Sequence, residues 1–184
     1  MDATRRSIVL AGVAATVFGF GTHAHAASAA SINRDVSAAL KMLYAQNAGA
    51  QVLASKAKAV LVFPRIVKAG FMFGAQGGDG ALRERGKTVG YYRTLAASYG
   101  FQAGIQSFGY ALFFMSDSAL SYLRRSEGWE IGTGPSVVIV DQGMARQLST
   151  TTLKDDVYAV VFDQKGLMAG MGIQGSKITQ ITPR

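Results

Sequence analysis

"GFMFGAQ", Gly70 to Gln76, returns as "GFQAGIQ", Gly100 to Gln106, and a looser copy, "GLMAGMGIQG", runs from Gly166 to Gly175. Such glycines can cradle a phosphate, clamp two membrane helices, or let strands pack closely. A phosphate loop of the G-x-x-x-x-G-K-S/T kind needs its lysine at the phosphates and the next hydroxyl on magnesium. "GMGIQGSK", Gly170 to Lys177, places serine before lysine and runs into strand-like "ITQI". Helix pairing through G-x-x-x-G needs an apolar segment of about 20 residues, and polar residues crowd these copies. Strand packing is left.

Strand parity then gives one rule for all three copies. Gly70, Gly74 and Gln76 share a parity against Phe71, Phe73 and Ala75. Gly100, Gln102, Gly104 and Gln106 oppose Phe101, Ala103 and Ile105, and Gly166, Gly170, Gly172 and Gln174 oppose Leu167, Ala169, Met171 and Ile173. Successive side chains of a strand point to opposite faces. The apolar set is expected to face the core. The glycine face, nearly bare, suits strong curvature or the close approach of a helix or ligand.

Working outward, Ser31 to Lys58 repeats Ile32, Val36, Leu40 and Leu43 at helical spacing, with a break expected at "QNAG", Gln46 to Gly49. "AVLVFP", Ala59 to Pro64, reads as a buried strand stopped by its proline. "FMFGAQGGDGALRERGK" reads as a hairpin turning at "GGDG", with Arg83, Arg85 and Lys87 on one face of its second strand. Thr88 to Met115 fits two or three strands. "SDSALSYLRRSEG" is a short helix capped by Ser116, with Leu120 and Leu123 inward and Arg124 and Arg125 in a last turn where cations suit the helix dipole. "SVVIVD" and "VYAVVFD" are strands, and the segment from Gly166 should close the sheet. The expectation is one α+β domain: a curved, mostly antiparallel sheet with N-terminal helices and one short mid-chain helix.

The first 26 residues are set apart. Arg5 and Arg6 precede an apolar run from Ile8 to Phe20, and Ala24 and Ala26 form an Ala-x-Ala cleavage signal. The run is shorter than the roughly 20 residues a membrane span needs. A cleaved export signal over residues 1–26 is expected, and "TRRSIVL" is similar to a twin-arginine signal. The mature domain would be residues 27–184, periplasmic or peripherally bound to a membrane.

That cleavage has chemical consequences. His23 and His25 are the only histidines and the chain has no cysteine. The mature chain then holds no thiol nucleophile, no His-assisted serine triad, no His/Cys zinc site and no disulfide. Any catalysis would rest on carboxylates such as Glu127, Glu130, Asp155, Asp156 or Asp163, and adjacent Asp155 and Asp156 read better as a solvated turn. No enzyme activity, cofactor or metal is expected.

Charge points elsewhere. The mature chain carries 17 basic and 10 acidic residues, a net of +7. The excess sits between Lys56 and Arg93, with Lys56, Lys58, Arg65, Lys68, Arg83, Arg85, Lys87 and Arg93 against Asp79 and Glu84. Such a segment reads either as a solvated surface or as an anion-facing patch.

"KAKAVLVFPRIVKAGFMFGAQGGDGAL", "SYGFQAGIQSFGYALFFM", "LSYLRRSEGWEIGTGPSVVIVD" and "GLMAGMGIQGSKIT" together resemble the SYLF domain family, in its bacterial exported branch, from about Leu40 to Thr182. The resemblance implies lipid binding rather than catalysis. It implies phosphoinositide-like recognition, attachment through a basic N-terminal segment matching Arg34, Lys41, Lys56 and Lys58, and, in eukaryotic relatives, actin binding. For an exported chain neither actin nor nucleic acid is an expected partner. The expected function is docking on anionic phospholipid at a membrane of the cell envelope. Candidate lipid-binding residues are Arg83, Arg85 and Lys87, followed by Lys56, Lys58, Arg65 and Lys68. The alternative is an envelope structural or interaction domain that binds an acidic protein or polysaccharide.

Overall fold

The structure is a computed structural model that describes residues 27–71, 73–99, 104–125, 127–140, 144, 148, 153–166, 173 and 175–184. The expected export signal lies outside the described residues, as does most of the third glycine copy.

Two helices open the chain, α1 (Ala29–Gln46) and α2 (Ala48–Lys56). Their boundary is one residue, Asn47. Its backbone N–H closes α1 on the Leu43 carbonyl, and its side chain accepts from the Ala50 N–H to open α2. The break expected at "QNAG" is present. Ser28 caps the start of α1, three residues before the start read from the sequence.

Eight strands follow: β1 (Ala59–Phe71), β2 (Phe73–Glu84), β3 (Lys87–Tyr99), β4 (Gly104–Phe114), β5 (Trp129–Glu130), β6 (Val137–Val140), β7 (Val157–Gly166) and β8 (Lys177–Ile181). Helix α3 (Asp117–Arg125) lies between β4 and β5. The strands form one curled sheet in the order β5-β8-β3-β2-β1-β4-β7-β6. All pairs are antiparallel except β6 with β7. The α+β class, the mostly antiparallel sheet and the mid-chain helix therefore stand as expected. Ser116 accepts from the Ala119 N–H, and Leu120 and Leu123 are buried, as the capped helix requires.

Two local readings are corrected. Pro64 does not stop β1. The strand passes through it at a bulge, two residues of β1 standing opposite one of β4 between Phe63↔Tyr110 and Ile66↔Phe108. A bulge tolerates the missing proline N–H. "GGDG" is no turn either, because β2 runs straight through it. Its glycines answer a steric demand. A Cβ at Gly78 would meet the Arg65 carbonyl oxygen, and one at Gly80 the Val62 carbonyl oxygen, so the bulged strand leans onto β2. The hairpin turn is Arg85–Gly86, where φ is +49° and +80°, the two-residue geometry that suits strand twist.

A second bulge, with Asp163 at φ +49°, offsets β7 against β4 between Gly109↔Phe162 and Ser107↔Lys165. Both irregularities flank Gly109 on β4, where a Cβ would enter the Phe162 ring. They divide the long strands into two segments.

In the first segment both faces are covered. The inner face packs Leu61, Phe63, Leu82, Tyr110, Leu112 and Phe114 against α3 and Trp129. The outer face packs Val60, Val62, Ala81, Phe113 and Tyr158 under Val36 and Leu43 of α1 and Leu53 of α2. In the second segment, toward the β1–β2 turn, the helices no longer cover the sheet.

Candidate functional site

Among the described residues of the first two glycine copies, the parity survives in the second segment with its faces exchanged. Ile173 of the third copy, by contrast, is buried in the inner core as expected. Phe73 is 70% exposed and Ile105 71%, while Gln76 and Gln106 are 8% and 4% exposed. The expected greasy core face is the outer, solvent-facing one. The glycine and glutamine face turns inward. Parity separates two faces, but which is covered depends on where α1 and α2 end, and they stop short of this segment.

The outer face here is one apolar surface. Val67, Leu95, Phe73 and Ile105 are all exposed, and the register makes them neighbours. Val67 pairs with Gly77, which pairs with Leu95, and Ala69 pairs with both Ala75 and Ile105. Contiguous exposed apolar surface of this kind marks interaction sites. Its edge is charged. Arg65 at the β1 bulge and Lys165 at the β7 bulge line a cavity of about 360 Å³ with Ser107 and Asp163. Arg93 is held by a two-point ion pair to Asp79, 2.6 and 2.9 Å, and that hydrogen bonding raises the guanidinium above its usual range.

The inner face carries a polar row. Lys68 on β1 pairs with Gln76 on β2 and with Gln106 on β4, and all three are buried. Beneath them, the Tyr110 hydroxyl donates to Thr94 Oγ1 at 2.8 Å. Burial pushes the Tyr110 phenol well above its ordinary range, the Thr94 bond pulling slightly the other way. Gln76 Nε2 donates to Ser176 Oγ at 3.2 Å.

The seven cations read from the sequence fall into three places. Lys56, Lys58, Arg83, Arg85 and Lys87 lie toward the helix-covered end of the sheet. Arg83, Arg85 and Lys87 do not share a strand face there, because Arg85 belongs to the turn. Arg83 is engaged internally: its guanidinium donates to the Asn33 carbonyl at 3.1 Å and to Ser37 Oγ at 3.0 Å on α1, and to the Gly86 carbonyl at 3.2 Å. Lys58 pairs with Asp117 at 3.1 Å. Arg65 is exposed at the bulge and Lys68 is buried on the inner face. The apolar outer surface and the polar inner row were missed. Their sequence signal was there, since a glutamine in each copy shares its parity with the glycines, but burial was assigned to the wrong face.

Residues 95–182 match the Ysc84 family model, described as Las17-binding protein actin regulator. The chain carries a SYLF domain. No curated protein matches the chain. The SYLF family is one of binding domains for lipid and protein, generally without enzymatic activity. In this SYLF domain the matched region begins in β3 and takes in β4 to β8 with α3, so it holds Leu95, Ile105 and Gln106. Among the described residues no three His, Cys, Asp or Glu side chains gather as a metal site, and no helix is long and apolar enough to cross a membrane.

Proposed function

We propose that this SYLF domain is a non-enzymatic module that docks on anionic phospholipid, entering the interface with the outer face of its uncovered strand segment. The uncovered apolar surface of Val67, Phe73, Leu95 and Ile105 carries the reading. An aromatic ring and aliphatic side chains presented on a rigid sheet can enter the headgroup boundary without refolding. Arg65 and Lys165 at its edge meet negative headgroups, each cation near an anionic surface contributing about 1 kcal/mol, screened by salt.

The cations Lys56, Lys58, Arg83, Arg85 and Lys87 have a different part. They lie at the far end of the long strands, so with the net +7 of the mature chain they attract the surface at a distance and do not sit beside the inserted patch. The same reading places the protein outside the cytoplasm, in the envelope and peripherally attached. Its partner there is anionic phospholipid, not nucleic acid or actin.

Vesicle flotation over a salt series tests this. The domain should float with anionic vesicles, weaken as salt rises, and stay unbound to neutral ones. Equal flotation with neutral vesicles removes the electrostatic part. No flotation at all, with recovery of a crosslinked envelope protein, would favour a protein-interaction domain.

A further inference from the structure

Two bulges face each other across β4. Between Phe63↔Tyr110 and Ile66↔Phe108, β1 has one residue more than β4, so Pro64 and Arg65 stand opposite Gly109. Between Gly109↔Phe162 and Ser107↔Lys165, β7 has one more, so Asp163 and Gln164 stand opposite Phe108. Each extra residue interrupts the hydrogen-bond ladder and re-aims the side chains around it. Where the two interruptions adjoin lies the cavity of about 360 Å³ lined by Pro64, Arg65, Ser107, Phe108, Asp163 and Lys165. That volume is at the small end of ligand pockets.

The lining has a definite chemistry. Arg65 is exposed, and among the described residues neither its guanidinium nor the Ser107 hydroxyl has a hydrogen-bond or ion-pair partner. Lys165 Nζ lies 3.0 and 3.2 Å from the two Asp163 oxygens, which leaves that carboxylate lone pairs for further donors. Asp163 holds φ +49°, a left-handed conformation that Asp and Asn tolerate better than other side chains. Two cations and one carboxylate leave the cavity a formal charge of +1. That charge matches a monoanion better than a phosphate monoester, which carries about −1.5 to −2 at neutral pH. An unpaired guanidinium also presents a planar fork, suited to the two oxygens of a carboxylate.

We propose that the cavity between the two bulges binds a hydroxylated carboxylate of the sugar-acid class. The Arg65 fork takes the carboxylate, and Asp163, steadied by Lys165, accepts from hydroxyls of the ligand. The Ser107 hydroxyl donates to a ligand oxygen between them. A free sugar acid and a uronate unit of a polysaccharide share this chemistry. The site does not rest on the membrane reading above. Only its effect on docking does, because a bound carboxylate withdraws Arg65 from the headgroups.

Glucuronate is the probe. Glucose lacks its charge, acetate its hydroxyls, and glucose 6-phosphate carries the larger negative charge. Titrated into the full domain, glucuronate should shift the backbone amide resonances of Ser107 and Lys165 saturably. At about tenfold excess over its dissociation constant it should raise the melting temperature by about 3 °C. Glucose and acetate should bind about tenfold more weakly, and glucose 6-phosphate no more tightly than glucuronate. Arg65→Gln should lose about tenfold in affinity at an unchanged melting temperature, since the side chain is exposed. Arg65→Lys keeps the charge without the fork and should lose most of the affinity too. Asp163→Asn suits the same backbone and raises the formal charge to +2, so it should weaken glucuronate and turn the preference toward glucose 6-phosphate.

A short oligomer of glucuronate reads the source. Binding at least as tight as that of the monomer assigns a polysaccharide, and binding of the monomer alone assigns a free acid. Silence toward both, or an equal response to glucose, overturns the site. So does tighter binding of glucose 6-phosphate by the wild type, or an unchanged affinity in Arg65→Gln. Saturating glucuronate should also weaken flotation of the wild type on anionic vesicles and leave that of Arg65→Gln as it was. Loss of all flotation sinks the membrane reading while the glucuronate titration still stands, so the two readings fail separately.

Discussion

Val67 on β1 and Lys68 beside it on the same strand face opposite environments: Val67 is 41% exposed on the outer side and Lys68 7% exposed on the inner. An apolar residue in water and a cation in the interior invert the usual preference. The inversion extends to the neighbouring strands, with Phe73 and Ile105 outside and Gln76 and Gln106 inside. A strand segment kept in this state has a greasy outer surface and a charged, hydrogen-bonding interior, which is costly for stability and serviceable for binding.

The outer surface should be dispensable for folding. Phe73→Asp and Ile105→Asp remove side chains that are mostly in water, so unfolding free energy should change by no more than about 0.5 kcal/mol each. Flotation with anionic vesicles should fall at least tenfold in the double variant. Denaturant unfolding beside flotation checks both halves.

Arg83 should behave as a structural residue. Its guanidinium ties β2 to α1 through Asn33 and Ser37. Arg83→Ala should cost about 1–2 kcal/mol in urea unfolding, whereas Lys87→Ala, exposed at the start of β3, should be neutral. Equal effects of the two would mean that the Arg83 bonds contribute nothing.

The glycines of "GGDG" should resist alanine. At Gly80 a methyl group would press into the Val62 carbonyl oxygen, and overpacking of this kind costs about 1–3 kcal/mol. Gly86→Ala meets open space, but a positive φ, so its cost of about 1 kcal/mol comes from the backbone alone. Thermal melting of the two variants should rank Gly80→Ala as the more damaging.

Alkaline stability should depend on Tyr110. Burial raises its phenol above the ordinary value of 10.0, so the unfolded chain ionises first. Stability is then full below about pH 10 and lost as pH rises from there toward the folded value. Tyr110→Phe should flatten that loss, although the Thr94 hydrogen bond goes with it. Urea midpoints at pH 8 and pH 10.5 compare the slopes.

What could be read from residues and what could not divide along physical lines. The helices were legible because Ile32, Val36 and Leu43 repeat at helical spacing and bury, and Asn47 is a residue suited to both ending and starting a helix. Strand parity was legible too. Pro64 and "GGDG" misled because proline and glycine signal a turn as readily as a bulge and the close approach it forces. The choice of inner face needed long-range facts: where the helices end, and how the sheet curls. The cationic segment was visible as composition, but Arg85 and Lys68 show that neighbours in sequence can end in a turn and in the interior.

The most direct test of the account is the depth of Ile105 in a bilayer. The chain has no cysteine, so Ile105→Cys and Lys87→Cys each accept one environment-sensitive fluorophore. On adding anionic vesicles, the label at position 105 should shift to the blue and be quenched by quenchers placed in the lipid chains, while the label at position 87 stays in water. Bound protein whose label at position 105 does not respond, or whose label at position 87 responds instead, would contradict docking through the uncovered sheet face.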